Sequence, residues 1–233
     1  MSTLHAKTAV VTGGSKGIGL AIARRLIEEG CEVTICGRNR EALASAVASL
    51  GSRAWGVVCD VRDPQAVGNM FREVESRHAG LDILVNNAGV GVFKPIAEIT
   101  NEEWRSVIET NLNGVFYCCR AATPLMRRRG GGYIINISSL AGKNAFAGGT
   151  AYNASKFGLN GFSEALMLDL RYDKIRVSYV MPGSVATDFT PGSAQPWKLQ
   201  AADVAQAVLD LLHMPENALA SRVELRPLLP PKR

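Results

Sequence analysis

Tyr152 and Lys156 stand four residues apart in the run Tyr152-Asn153-Ala154-Ser155-Lys156, a spacing that brings two side chains to one face of a helix. A phenol and an ammonium so placed can exchange a proton with a ligand near neutrality if the cation lowers the phenol's pKa. Free tyrosine titrates at about 10, and bringing it down by about 3 units takes about 4 kcal/mol. An ammonium about 4 Å away in an effective dielectric near 20 supplies roughly that amount. Alone, such a pair is equally a chance meeting on a solvated helix face, so its neighbours matter. Ser138 and Ser139 follow the apolar run Tyr133 to Ile137, where a hydroxyl can hold a ligand oxygen within reach of Tyr152. Asn111, in Thr110-Asn111-Leu112-Asn113-Gly114, places poor helix formers inside a good helical pattern and predicts a local break that exposes backbone groups.

A second constellation is Thr12-Gly13-Gly14-Ser15-Lys16-Gly17-Ile18-Gly19, a glycine-rich turn between a strand pattern and a helix pattern. Gly13 permits a sharp turn, Gly17 a close approach of backbone to pyrophosphate, and Gly19 close packing of the helix, whose first N–H groups then face an anion. The spacing departs from G-x-G-x-x-G, so glycines serving only a tight turn are the plain alternative. About 20 residues on, where NAD-selective sites carry an acid, the chain reads Cys36-Gly37-Arg38-Asn39. Arg38 and Lys16 offer positive charge to a ribose phosphate, which predicts NADP(H) as the cofactor. Gly13-Gly14-Ser15-Lys16-Gly17 also fits the G-x-S-x-G turn of serine hydrolases. That chemistry needs a downstream histidine at a strand end, and His78 and His213 fall near predicted helix ends, while His5 precedes the motif.

The elements that must position these groups alternate along the whole chain. Strands are predicted at Thr8 to Val11, Val33 to Cys36, Ala54 to Val58, Ile83 to Val85, Tyr133 to Ile137, Val177 to Val180 and Arg222 to Leu225. Helices are predicted at Gly17 to Glu29, Arg40 to Leu50, Pro64 to Arg77, Asn101 to Arg128, Ala151 to Tyr172 and Ala202 to Leu212, with Asp63 and Thr100 as N-caps. The pattern is that of an α/β chain, a Rossmann-type doubly wound parallel sheet of about seven strands with helices on both faces. Its 233 residues, 47% apolar and 20% charged, suit one domain over 1–233 and exclude a disordered chain.

No stretch of apolar residues is long enough for a membrane span, and the first residues lack a secretory layout, so a soluble cytoplasmic protein is expected. Cys31, Cys36, Cys59, Cys118 and Cys119 lack C-x-x-C spacing and read as reduced core residues; no metal site is expected. The net charge of +5 favours anionic ligands. The run Arg127, Arg128 and Arg129 reads as a solvated helix end rather than a nucleic-acid surface. Val90, Phe93, Phe146, Phe189 and Trp197 are apolar candidates for a pocket, and Pro191 to Pro196 for a short lid.

Together, Thr12-Gly13 to Gly17-Ile18-Gly19, Asp60, Asn86-Asn87-Ala88-Gly89, Asn111, Ser139, Tyr152 with Lys156, and Pro182-Gly183 with Thr187 resemble the short-chain dehydrogenase/reductase family, in family order and over nearly the whole chain. The resemblance points to Ser139 rather than Ser138, since the family's interval from serine to tyrosine is thirteen residues. The resemblance implies an NADP(H)-dependent oxidoreductase acting on a small carbonyl or alcohol substrate, with Tyr152 as acid/base. It implies that Lys156 also binds the nicotinamide ribose, that Ser139 orients the carbonyl, and that the main chain of Asn111 holds a water in a proton relay. It further implies that Asp60 and Val61 meet the adenine, that Asn87 and Ala88 line the adenosine side with Gly89 beside them, and that Val185 and Thr187 hold the carboxamide. Only about twenty residues separate Gly183 from Asp203, and the end reads Val223-Glu224-Leu225-Arg226-Pro227. Both depart from 3-oxoacyl-[acyl carrier protein] reductases, which the front half resembles, so a sepiapterin-reductase-like or general carbonyl reductase fits equally. The alternative from another class is a non-catalytic regulator that senses NADP(H). Apolar residues on several faces of the two long helices, Phe116 and Phe157 among them, imply a homodimer or homotetramer.

Overall fold

Short runs of β-branched and apolar residues set the strands. In the computed structural model, which describes residues 4–187, 189 and 195–231, these are β1 (Thr8–Thr12), β2 (Glu32–Gly37), β3 (Ala54–Val58), β4 (Ile83–Asn86), β5 (Gly132–Ile137), β6 (Ile175–Pro182) and β7 (Arg222–Leu225). They form one sheet in the order β3-β2-β1-β4-β5-β6-β7, and every pairing is parallel. A parallel sheet needs cover on both faces, which explains why all of β1 is buried. Ala9 and Val11 point into the core under α1 (Gly17–Glu28), α2 (Arg40–Leu50) and α7 (Ala201–Leu212). Val10 joins the opposite core, under α3 (Pro64–His78), α5 (Gly114–Arg128) and α6 (Thr150–Leu170).

The expected strands and helices all form, with ends moved by a residue or two. One predicted helix, Asn101 to Arg128, is interrupted: α4 (Asn101–Ile108) passes through a single widened π turn, Glu109–Asn113, before α5 begins. That is the break the poor helix formers around Asn111 imply. The caps fold as expected too. Asp63 accepts from the Gln65 N–H at 2.8 Å, and Thr100 and Glu103 close a reciprocal capping box. The arginine run ends α5 in surface ion pairs, Arg127 with Asp173 and Arg128 with Glu75. All five cysteines are buried thiols, and burial pushes Cys31 and Cys119 up to about 12. Among the described residues no helix is long and apolar enough to cross a membrane.

The order in which strands are added to the sheet reverses between β1 and β4, so the connections leaving their carboxyl ends diverge and open a crevice. A polar seam through the core fixes α6 beside that crevice. The Asn86 side-chain amide donates to the Asn136 side-chain oxygen at 2.8 Å, the Asn136 side-chain amide donates to the Ser163 hydroxyl at 2.8 Å, and Ser163 donates to the Leu159 backbone carbonyl at 2.7 Å. Asn136 is fully buried, so Asn136→Leu removes one hydrogen bond from each of two buried polar side chains, out of reach of water. The expected loss of unfolding free energy in denaturant titration is about 2 kcal/mol or more; a variant as stable as the native chain would show that the seam does not anchor the helix.

Candidate active site

Two glycines with positive φ, Gly13 at 63° and Gly17 at 55°, wrap the chain from β1 into α1. Space is also decisive: a Cβ on Gly13 would lie 2.9 Å from the Ala88 Cα, and one on Gly19 would lie 2.3 Å from the Gly13 carbonyl oxygen. The turn is thus clamped to the end of β4. The Thr12 hydroxyl accepts from the Asn87 and Ala88 N–H groups, both at 3.0 Å. The Asn87 amide in turn donates to the carbonyls of Thr12 and Gly13 at 2.9 and 3.1 Å. Lys16 precedes α1 without capping it through its side chain, so the first N–H groups of the helix are left to a ligand.

A cleft of about 1630 Å³ opens above this turn. Gly13, Ser15, Lys16, Gly17, Ile18, Arg38, Val61, Asn87, Ala88 and Gly89 line one part of it, and Ser139, Tyr152, Lys156, Pro182, Gly183, Val185 and Thr187 the other. Lys16 and Arg38 are exposed, and no Asp or Glu is among the described lining residues. An uncapped helix start, a backbone turn open to approach and exposed cations fit an anionic dinucleotide. None of the three histidines lines the cleft; His213 instead faces Glu29 at 3.4 Å. Ser15 therefore has no base, and the hydrolase alternative falls.

Two motif residues, Gly19 and Asp60, do not line the cleft. Gly19 lies beneath the turn, packed on Gly13 and Asn87. The Asp60 carboxylate is clasped by Arg62 at 2.6 Å, and that guanidinium holds its carboxyl below the ordinary range. Asn111 does not line it either. Fully buried, its side chain accepts from the Val90 N–H and donates to the Val90 carbonyl, both at 2.9 Å, and donates to the Ser155 hydroxyl at 3.0 Å. It ties the widened turn to the loop after β4 and to α6; Thr110, from the same turn, reaches the cleft.

Tyr152 and Lys156 do share a face at the start of α6, but their electrostatics differ from the expectation. The Lys156 ammonium donates to the Ile137 carbonyl at 2.9 Å and sits 5.7 Å from the centre of the Tyr152 ring. Burial alone lowers its pKa to about 8. Burial also pushes the Tyr152 phenol above its ordinary value, and a hydrogen bond from Ser139 offsets part of that rise. The lysine turns toward a backbone carbonyl rather than the phenol oxygen, so desolvation governs the tyrosine. Ser139 is itself fixed, its hydroxyl accepting from the Ala141 N–H at 3.1 Å.

Three positioning residues are invisible to spacing arguments. Ser155 hydrogen-bonds Asn111 and donates to the Tyr152 carbonyl at 2.8 Å. The Asn153 amide donates to the Ala141 carbonyl at 2.6 Å, and the Asn160 amide to the Gly142 carbonyl at 3.0 Å; Asn160 also accepts from Ser138 at 2.5 Å. Polar residues in the middle of a helix that otherwise packs on a sheet are the one sequence signal that marks them. Of the apolar candidates, Val90, Phe93, Phe146 and Phe189 line the cleft and Trp197 does not. Most of the suggested lid, Pro191 to Ala194, lies outside the described residues.

Residues 7–196 match the family model for short chain dehydrogenase. The chain is 36% identical over 225 residues to a 3beta-hydroxysteroid dehydrogenase of Mediterraneibacter gnavus, covering 95% of this chain and 81% of that one. It is 34% identical over 231 residues to an uncharacterized oxidoreductase of Staphylococcus aureus, covering 98% and 100%. A crystal structure of a metagenomic short-chain oxidoreductase in complex with NADP superposes with a TM-score of 0.87 at 38% identity, over 98% of this chain and 100% of that chain. A putative short-chain alcohol dehydrogenase from Sinorhizobium meliloti gives 0.77 at 38% identity, over 81% and 76%. With the motifs gathered at one cleft of a doubly wound sheet, these likenesses identify the chain as an enzyme of the short-chain dehydrogenase family, oxidoreductases that use NAD(P) on CH–OH and C=O groups.

Proposed function

We propose that this enzyme is an NADP(H)-dependent carbonyl reductase or alcohol dehydrogenase in which Tyr152 exchanges the proton, Ser139 holds the substrate oxygen and Lys156 supplies the supporting charge. The observation that carries the reading is that Ser139, Tyr152 and the buried Lys156 ammonium line one cleft at the carboxyl end of the sheet, with the ammonium behind the phenol ring. The bound nicotinamide supplies or takes up the hydride. In the reducing direction the raised phenol is fully protonated at neutral pH and gives its proton to the oxygen that becomes the alcohol. The phenolate left behind is stabilised by the Ser139 hydroxyl and by Lys156, which with a pKa of about 8 is still largely charged at neutrality. Asn111 acts through Ser155 and the Val90 backbone as a positioning residue.

NADP(H) rather than NAD(H) is favoured by the end of β2. Arg38 and Lys16 both line the cleft there, and no carboxylate stands where one would bind ribose hydroxyls and repel a phosphate. The similar enzyme solved with NADP supports the same choice. A general carbonyl compound suits the substrate side better than a 3-oxoacyl thioester, since phenylalanines surround Tyr152. The relative named for a hydroxysteroid is in line with an apolar substrate. Half-exposed Phe116 on α5 and Phe157 on α6 support a homo-oligomer formed through those helices.

NADPH consumption with a panel of aldehydes, ketones and 3-oxoacyl thioesters tests the function. Tyr152→Phe should lower kcat/KM about 1000-fold with NADPH still bound; a native chain that binds NADPH yet reduces no carbonyl would instead be a sensor. Arg38→Asp should shift the NADP-to-NAD ratio of kcat/KM about 100-fold toward NAD, through one lost charge-assisted contact and one added repulsion. An unchanged ratio would place the phosphate elsewhere.

A further inference from the structure

Three phenylalanines from three different connections form one cluster beside the Tyr152 ring, two of them in contact with it. Phe93 follows β4, Phe146 follows β5 and Phe189 follows β6. Phe93 meets the Tyr152 ring edge-on, centroids 5.4 Å apart at 73°, and Phe189 meets it at 5.8 Å. Phe93 also contacts Phe146 at 5.9 Å and Phe189 at 6.5 Å. The backbone is shaped to admit these rings. A Cβ on Gly91 would fall 2.7 Å from the tip of Phe93 and 2.8 Å from the Phe189 ring, and one on Gly149 would fall 2.7 Å from the Phe146 ring. Any other residue at either place would push the rings out.

The cluster is nevertheless not a closed core. Phe93 is 43%, Phe146 47% and Phe189 43% exposed, and all three line the cleft, so their free ring surface opens where a substrate must lie to reach Tyr152. Rings placed for packing alone would bury that surface. Aromatic faces carry a negative quadrupole and their edges a positive one, so a ring seated among them gains oriented contacts that a flexible alkyl chain of equal size does not. A cationic amine substrate would find no carboxylate among the described lining residues.

We propose that the enzyme selects carbonyl compounds bearing a flat aromatic ring close to the reacting carbon, seated among Phe93, Phe146 and Phe189, over straight-chain carbonyls. This rests on the oxidoreductase reading above. The test compares kcat/KM for phenylacetone with that for the saturated straight-chain methyl ketone of equal carbon number, at saturating NADPH. Native enzyme should favour phenylacetone by about tenfold or more, and Phe93→Leu and Phe146→Leu should each cut that ratio about tenfold, chiefly through the KM for the aryl ketone. Leucine keeps the apolar bulk, so folding is preserved while the ring is lost. A native preference for the straight-chain ketone, or a ratio unmoved by both variants, overturns the proposal. Calorimetric binding of the two ketones to the NADP⁺-loaded enzyme keeps the outcomes apart. Tighter phenylacetone binding that is lost in Phe93→Leu supports the ring site even if no ketone is turned over, a result that would count against the oxidoreductase reading alone. Equal binding of both ketones overturns the ring site alone.

Discussion

A primary ammonium held out of water against one backbone carbonyl is the interaction on which this site turns. Lys156 donates to Ile137 at the last residue of β5, and its burial lowers its pKa to about 8. A buried lysine with no carboxylate partner among the described residues is costly to charge, and the fold tolerates it because the carbonyl, fixed by the sheet, is aimed at it. The arrangement places a cation behind the phenol without neutralising it, as a carboxylate neighbour would. It also confines that cation to pH values below or near the lysine's own midpoint.

The remaining polar residues of the site hold that geometry rather than add to its chemistry. Asn111 uses the widened turn between α4 and α5 to bind both the loop after β4 and Ser155. Asn153 and Asn160 bind the carbonyls of the segment after Ser139. The Ser139 hydroxyl and the Tyr152 phenol therefore sit on two backbones that are tied together by side-chain amides at several points. Thr12 and Asn87 do the same for the glycine turn. Preorganisation of this kind limits the reorganisation needed when charge moves between the groups.

The fold was legible because parallel strands, buried on both faces, are written as unbroken apolar runs, and because Asp63, Thr100 and the Asn111 segment carry local signals strong enough to stand alone. The cleft residues were legible to the extent that glycine, serine, tyrosine and lysine types imply a task. Other features depend on neighbours distant in sequence. The amide ties of Asn153 and Asn160 to the segment after Ser139 arise only when separate elements meet. The same holds for the phenol. Four-residue spacing shows that Tyr152 and Lys156 share a face, but whether the ammonium points at the hydroxyl or at a strand end is decided by the sheet. That choice reverses the direction of the tyrosine's shift in the free protein.

The most direct check is the titration of Lys156 itself, followed by carbon NMR of the lysine Cε resonances in the free protein and assigned with Lys156→Arg. The account predicts one lysine with a midpoint near 8, set apart from solvent-exposed lysines and absent from the variant. A Lys156 midpoint at or above the ordinary 10.5 would mean that the ammonium is solvated or paired with a carboxylate, and the electrostatic basis of the site would be wrong.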